Sequence, residues 1–145
     1  MAQLPAVLEG YLAFSAVLSK GSLGKRLGEE LALTLAAANH CDYCASAHAV
    51  LGKLAGLSEA QTIATLRGDS DQAREAATLR FAETVVEKRN RIADADFKAV
   101  TDAGFTPGEA GEIVAHVALN TFTHYLNNVA NTEIDFPRVD LTKVG

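Results

Sequence analysis

Two cysteines and a histidine stand close enough in this sequence to act on one another. The run Asn39-His40-Cys41-Asp42-Tyr43-Cys44-Ala45-Ser46-Ala47-His48 holds the pattern C-x-x-C-x-x-x-H. Placed at the start of a helix, residues three apart lie one turn from each other, so the sulfurs of Cys41 and Cys44 approach closely enough to close a disulfide. That is the geometry of a redox dithiol. His48, four residues beyond Cys44, falls on the same face, where its imidazole can reach the Cys44 sulfur directly or through one water. An adjacent base and the positive end of the helix dipole both favour the thiolate, which is the reactive form. On this reading Cys44 attacks and Cys41 resolves.

Other readings use the same residues. A structural zinc site needs four ligands, and the segment offers Cys41, Cys44 and His48 with His40 as a fourth, badly placed beside Cys41. Attachment of a c-type haem requires histidine directly after the second cysteine, where Ala45 stands. Two buried cysteines and a core histidine would also suit the mostly apolar line of Cys44, Ala47, His48 and Leu51. A thiol–histidine pair calls for a carboxylate that orients the imidazole and takes up its proton. Glu29 and Glu30 are the candidates, and spacing alone does not choose between them. No cofactor or bound metal is expected.

The elements that must position these groups are helices, since no Val/Ile/Thr-rich alternating run is long enough for a strand. The punctuation predicts an all-α fold of six to seven helices. The first covers about 6–19 and stops by Gly21. Ser22 is placed to cap a second, whose Leu23, Leu27, Leu31 and Leu35 form a buried stripe with Lys25, Arg26 and Glu30 toward water. A third runs from about Asp42 to Ala55 with Gly56 behind it, and Ser58-Glu59-Ala60-Gln61 reads as a capping box for a short fourth. Asp69-Ser70-Asp71 opens a fifth that reaches Lys88 through Ala77, Phe81 and Val85. A sixth covers Asp94 to Ala103. Thr106-Pro107-Gly108-Glu109 starts the last, which extends to about Asn128. Along that helix His116, Asn120, His124 and Asn128 repeat every four residues, which suits a solvated stripe, a subunit contact or a support for the reactive cleft. Tyr125 and Asn127, beside it, receive no role. The tail from Asn131 to Gly145 reads as irregular, with Ile134, Phe136, Val139 and Leu141 available to pack on the body or on a neighbour.

Composition narrows the classes. A length of 145 residues suits one domain. The net charge of −5 provides no basic footprint for nucleic acid or anionic lipid. With 26 alanines, three prolines and no tryptophan, the chain favours closely packed helices. Two cysteines in one short segment exclude a multi-bridge secreted scaffold. Met1-Ala2-Gln3-Leu4-Pro5 lacks the basic start and apolar core of a leader, and no stretch approaches 18 uninterrupted apolar residues, so a cytoplasmic protein outside the membrane is expected.

The run Glu29-x11-Cys41-x2-Cys44-x3-His48, with Asn39, Tyr43 and Ala47 inside it, resembles the core motif of the AhpD-like alkylhydroperoxidase branch of the carboxymuconolactone decarboxylase superfamily. The likeness is specific over about residues 20–60. It implies an AhpD-like helical fold and a thiol-dependent peroxidase: Cys44 matches the peroxidatic cysteine, Cys41 the resolving one, His48 the relay histidine and Glu29 the carboxylate at its far end. Tyr43 departs from the pattern, standing where AhpD carries a second histidine. The implied partners are a hydroperoxide substrate, an external dithiol or redox protein as reductant, and further copies of the chain in a trimer or hexamer. Decarboxylase members generally lack the cysteine pair. Alternatives that remain are a lactone-acting or decarboxylating relative, and a non-enzymatic redox-sensing or zinc-binding module.

Overall fold

The computed structural model describes residues 4–89 and 91–144, so Met1, Ala2 and Gln3 of the leader reading and Gly145 of the tail lie outside the described residues. Among the described residues seven α-helices follow one another: α1 (Pro5–Leu18), α2 (Gly24–Ala38), α3 (Asp42–Leu54), α4 (Glu59–Leu66), α5 (Ala73–Glu87), α6 (Asp94–Asp102) and α7 (Pro107–Ala130). A 3₁₀ turn at Leu141–Lys143 completes the order, and there is no strand among the described residues. No helix is long and apolar enough to cross a membrane among the described residues.

Helix α2 is the centre of the fold, packed on α3, α4, α5 and α7. Its expected stripe of Leu23, Leu27, Leu31 and Leu35 is buried, and meets Leu79, Phe81 and Val85 of α5 and Ile113 and Val117 of α7. The opposite flank is buried too: Leu33 and Ala36 join Cys41, Cys44, Ala45 and Ala49 in a second apolar cluster closed by Leu57 and Leu66. Each leucine removed from water in this way contributes on the order of 1.5–3 kcal/mol.

Burial on two flanks corrects one expectation. Glu30 does not face water; it is 2% exposed. Arg26 Nε donates to its Oε1 at 3.3 Å, while Oε2 has no partner among the described residues. Burial pushes the Glu30 carboxyl above its ordinary range, Arg26 opposes this, and Glu75 and Asp71 add to it.

The start of α2 differs from the expectation as well. Ser22 does not cap it; the N-cap is Leu23, with no side-chain cap bond. The amides that lead into the helix are met from a distant part of the chain, since Glu112 of α7 accepts from Ser22 N at 3.0 Å and Leu23 N at 3.1 Å, and from Ser22 Oγ at 2.7 Å. A carboxylate at a helix N-terminus also complements the dipole. Gly21 makes room for it, because a Cβ there would collide with the Glu112 carboxylate. Helix α5 begins later than expected, at Ala73, because Asp69 and Ser70 turn their side chains onto the amides of Ser70 (2.8 Å) and Gln72 (3.3 Å). The Ser58–Gln61 and Thr106–Glu109 capping boxes both form.

The tail crosses the body, where Val139, Leu141 and Val144 pack on the second cluster. Helix α1 is the exception to the burial pattern: it has no buried residue, and Leu12, Phe14 and Val17 are exposed. Glu30→Gln keeps the side-chain shape and an acceptor for Arg26 while removing a buried charge. Since the folded carboxyl titrates above the unfolded one, its ionised form opposes folding once pH rises past the ordinary carboxylate range. Urea unfolding should therefore find Glu30→Gln more stable than the parent at neutral pH, with the difference closing as pH falls toward about 4.

Candidate active site

Cys41 belongs to two helix ends at once. At the close of α2, His40 N bonds to Ala37 O (3.1 Å) and Cys41 N to Ala36 O (2.9 Å), the two bonds of a Schellman motif. His40 takes the left-handed conformation at φ 51°. Cys41 is then the N-cap of α3, and its sulfur accepts from Cys44 N at 3.3 Å. The short interruption between the helices thus seats both sulfurs at the positive end of α3, where they are joined as a disulfide. Cys41 is fully buried and Cys44 is 4% exposed, while His40 points to the exposed side and does not join them.

The carboxylate choice left open by spacing is resolved in geometry. Glu29 of α2 meets His48 of α3 at 2.8 Å, Oε2 to Nδ1. Glu30, one residue on, is turned away toward Arg26. With Nδ1 engaged, His48 keeps Nε2 for chemistry, and it makes no direct hydrogen bond to Cys44 among the described residues. Leu51 is 37% exposed, so the line of Cys44, Ala47, His48 and Leu51 runs from the core to the surface instead of lying within it.

Helix α7 supplies the wall. The face carrying His116, Asn120, His124 and Asn128 is not a solvated stripe: Asn120 and His124 are buried and His116 half-buried, with only Asn128 exposed. Asn128 Nδ2 donates to Asn39 O (3.2 Å) and His40 O (3.4 Å), fastening the turn before Cys41. The Asn39 side chain donates to His124 Nδ1 at 3.1 Å, which puts the His124 proton on Nε2. That Nε2 has no partner among the described residues. Burial drives the His124 pKa from 6.5 down to about 3; the nearby His48 pushes the same way, and the Leu35 carbonyl pulls weakly against them. His124 is therefore neutral at physiological pH.

Asn127, given no role by the sequence, touches the reactive pair: its Nδ2 lies 3.4 Å from Cys44 Sγ. The available signal was its position three residues after His124, on the same side of the helix. The tail adds a cover. Val139 N donates to Ser46 Oγ (2.9 Å), Arg138 reaches Asp42 (3.3 Å), and Phe136 packs edge-on against Tyr43 with ring centroids 5.8 Å apart. Burial, with Asp135 beside it, pushes the Tyr43 phenol up, so it stays protonated at neutral pH.

A cavity of about 290 Å³ lies among α1, α2 and α7, with Tyr11, Ser15, Glu29, His48, His116 and Asn120 on its walls. Cys44 is not one of its lining residues. His116, at its edge, is held below its ordinary pKa by burial, which outweighs the attraction of Glu112 and Glu29. Among the described residues no three His, Cys, Asp or Glu side chains converge as metal ligands do.

The fold and site define an all-helical protein with a CxxC pair at a helix start, backed by a histidine–carboxylate pair. The model of the carboxymuconolactone decarboxylase family matches residues 5–88, and the chain belongs to that family. A solved structure described as an alkylhydroperoxidase AhpD core, an uncharacterized peroxidase-related protein from Ralstonia eutropha JMP134, is similar at TM-score 0.82 and 25% identity, over 96% of this chain and 74% of that one. A peroxidase-related protein from Silicibacter sp. TM1040 is similar at TM-score 0.78 and 20% identity, over 91% and 70%. The debrominase Bmp8, in complex with 2,3,4-tribromopyrrole, is similar in fold at TM-score 0.80 and 17% identity, over 93% and 74%. No curated protein matches the sequence.

The depressed His124 pKa carries a consequence for stability. Between 6.5 and about 3 the unfolded chain binds a proton at this position and the folded chain does not, so stability must fall as pH drops through that window. His124→Gln retains an acceptor for Asn39 without the titration. Urea midpoints measured from neutral pH down to about 4.5 should decline less steeply for this variant than for the parent, by a slope approaching one proton.

Proposed function

We propose that this protein is a thiol-dependent peroxidase that reduces hydroperoxides at Cys44. The observation that carries the reading is the Glu29–His48 pair, closed at 2.8 Å and set one helical turn below a cysteine that is itself paired with Cys41 at a helix N-terminus. In the reduced enzyme the Cys44 proton passes to His48 Nε2 through a bridging water, and Glu29 stabilises the imidazolium that forms. The thiolate attacks one peroxide oxygen and breaks the O–O bond. The sulfur becomes a sulfenic acid, and the alkoxide leaves as the alcohol with the proton held by His48. Cys41 then attacks the sulfenic sulfur, releasing water and forming the disulfide. Two electrons from an external dithiol or redox protein restore both thiols, a cycle suited to the cytoplasm.

No metal or cofactor takes part in this sequence of steps. The family name suggests decarboxylation, but the steps above need only the residues present. The likeness to the debrominase is one of fold, and no observation on this chain favours dehalogenation. We further propose a homo-oligomer, a trimer or hexamer, in which α1 is covered by a second copy. An apolar helix with no buried residue is otherwise costly to leave in water.

Peroxide turnover with a panel of reductants, including dihydrolipoamide and thioredoxin, tests the reading. Cys44→Ser should abolish turnover. Cys41→Ser should consume one equivalent of peroxide and stop at the sulfenic acid, and Glu29→Gln should slow the peroxide step roughly 10²-fold. Full turnover by Cys44→Ser overturns the assignment, and metal retained through purification with no thiol oxidation would point to the zinc module instead.

A further inference from the structure

The two sulfurs compete for one negative charge, and local structure alone awards it to the wrong one. Cys41 is the N-cap of α3 and already receives the Cys44 amide at 3.3 Å, so the helix start favours a thiolate at Cys41. Cys44, a full turn inside the helix, receives no backbone donor of this kind. What it does receive is Asn127 Nδ2 at 3.4 Å, from a helix 83 positions away in sequence.

The orientation of that amide is fixed from both sides. Asn127 lies in the last turn of α7, where its carbonyl accepts from Thr132 N at 3.1 Å as the chain turns through Asn131 at φ 48°. Its side-chain Oδ1 accepts from Thr132 Oγ1 at 3.0 Å. With the oxygen engaged by Thr132, the NH₂ group is left to face sulfur. A neutral amide donor beside a nearly buried sulfur is a weak contact to a disulfide and a much stronger one to a thiolate, because a hydrogen bond to an ionised acceptor is charge-assisted.

The geometry points to Asn127 as the residue that assigns the charge to Cys44, lowering the pKa of that thiol relative to Cys41 in the reduced protein. The inference rests on the reading of Cys44 as the attacking thiol, and deepens it: Asn127 selects which cysteine of the pair meets peroxide. The titratable groups on the elements around Cys44 are His48 and Tyr43 on α3 and Cys41 before it. Glu29 on α2, His124 on α7, and the Asp42–Arg138 pair between α3 and the tail complete the set. Asn127 is distinguished from all of these by having no proton to gain or lose, so its effect on Cys44 is that of a neutral donor and persists at high salt, where ion pairs weaken.

Thiolate absorbance at 240 nm, followed against pH, tests this without peroxide. In a Cys41→Ser background only Cys44 titrates, and in a Cys44→Ser background only Cys41 does. Adding Asn127→Leu should raise the Cys44 pKa by about one to two units and leave that of Cys41 in place. Asn127→Asp keeps the shape and the Thr132 contact but replaces the donor with a carboxylate, so it should raise the Cys44 pKa at least as far. This second variant serves if the leucine variant does not fold. An unchanged Cys44 pKa in the folded aspartate variant, or equal shifts of both cysteines, overturns the inference. Because no turnover enters the measurement, that result is distinguishable from failure of the peroxidase reading, which the loss or persistence of peroxide consumption in Cys44→Ser decides separately.

Discussion

Helix α2 is buried on two flanks, and the position of every other functional group follows from that. One flank gives leucines to α5 and α7; the other gives Leu33 and Ala36 to the cluster that holds both cysteines. A helix clasped from both sides has little freedom to rotate about its axis, since rotation would drive a leucine into water on one flank and open a void on the other. Glu29 therefore meets His48 at a fixed height, and the end of α2 delivers Cys41 to the start of α3 in a fixed orientation. The buried Glu30 carboxylate is the cost of this arrangement, tolerated because the surrounding leucines contribute several times what one strained carboxylate removes.

The site divides its work between short and long connections. Segments close in sequence bring the chemically reactive atoms: two sulfurs within one turn, a histidine one turn on, a carboxylate on the helix before. Distant segments bring the groups that shape those atoms. Helix α7 contributes Asn128 to the turn, a neutral His124 behind it and Asn127 against sulfur, while the tail lays Phe136 on Tyr43 and Val139 on Ser46. In the proposed cycle a neutral His124 matters, because a second imidazolium beside His48 would oppose the charge that the cycle assigns to His48.

This division also explains what could be read from the residues. The all-α class, the two capping boxes and the left-handed Gly56 after α3 are short-range features set by neighbouring side chains, and they were legible. The closeness of Cys41, Cys44 and His48 was legible too, because the motif is short and its spacing follows helical periodicity, whereas spacing left Glu29 and Glu30 open and only the Glu29–His48 contact separates them. Periodicity shows that residues share a face but not what covers it. The stripe on α7 was compatible with water, a subunit or the site, and only the packing of α7 against α2 and the 39–41 turn distinguishes them. Ser22 illustrates the same limit. It is well suited to cap a helix locally, yet Glu112, 90 positions away, accepts from the amides of Ser22 and Leu23 instead. Asn127 carried only the faint signal of its place three residues after His124, since one amide at a helix end looks like any other until its neighbour across the fold is known.

The separation in sequence has a consequence for how the chain is made. Cys41 and Cys44 leave the ribosome long before Asn127, Arg138 and Val139, the groups that later shelter them, can arrive. During that interval the thiols are open to any oxidant in their surroundings. Closing a ring between residues three apart asks almost nothing of the rest of the chain, and two cysteines permit a single intramolecular pairing. Within these 145 residues, premature oxidation therefore forms the same linkage that the folded structure holds.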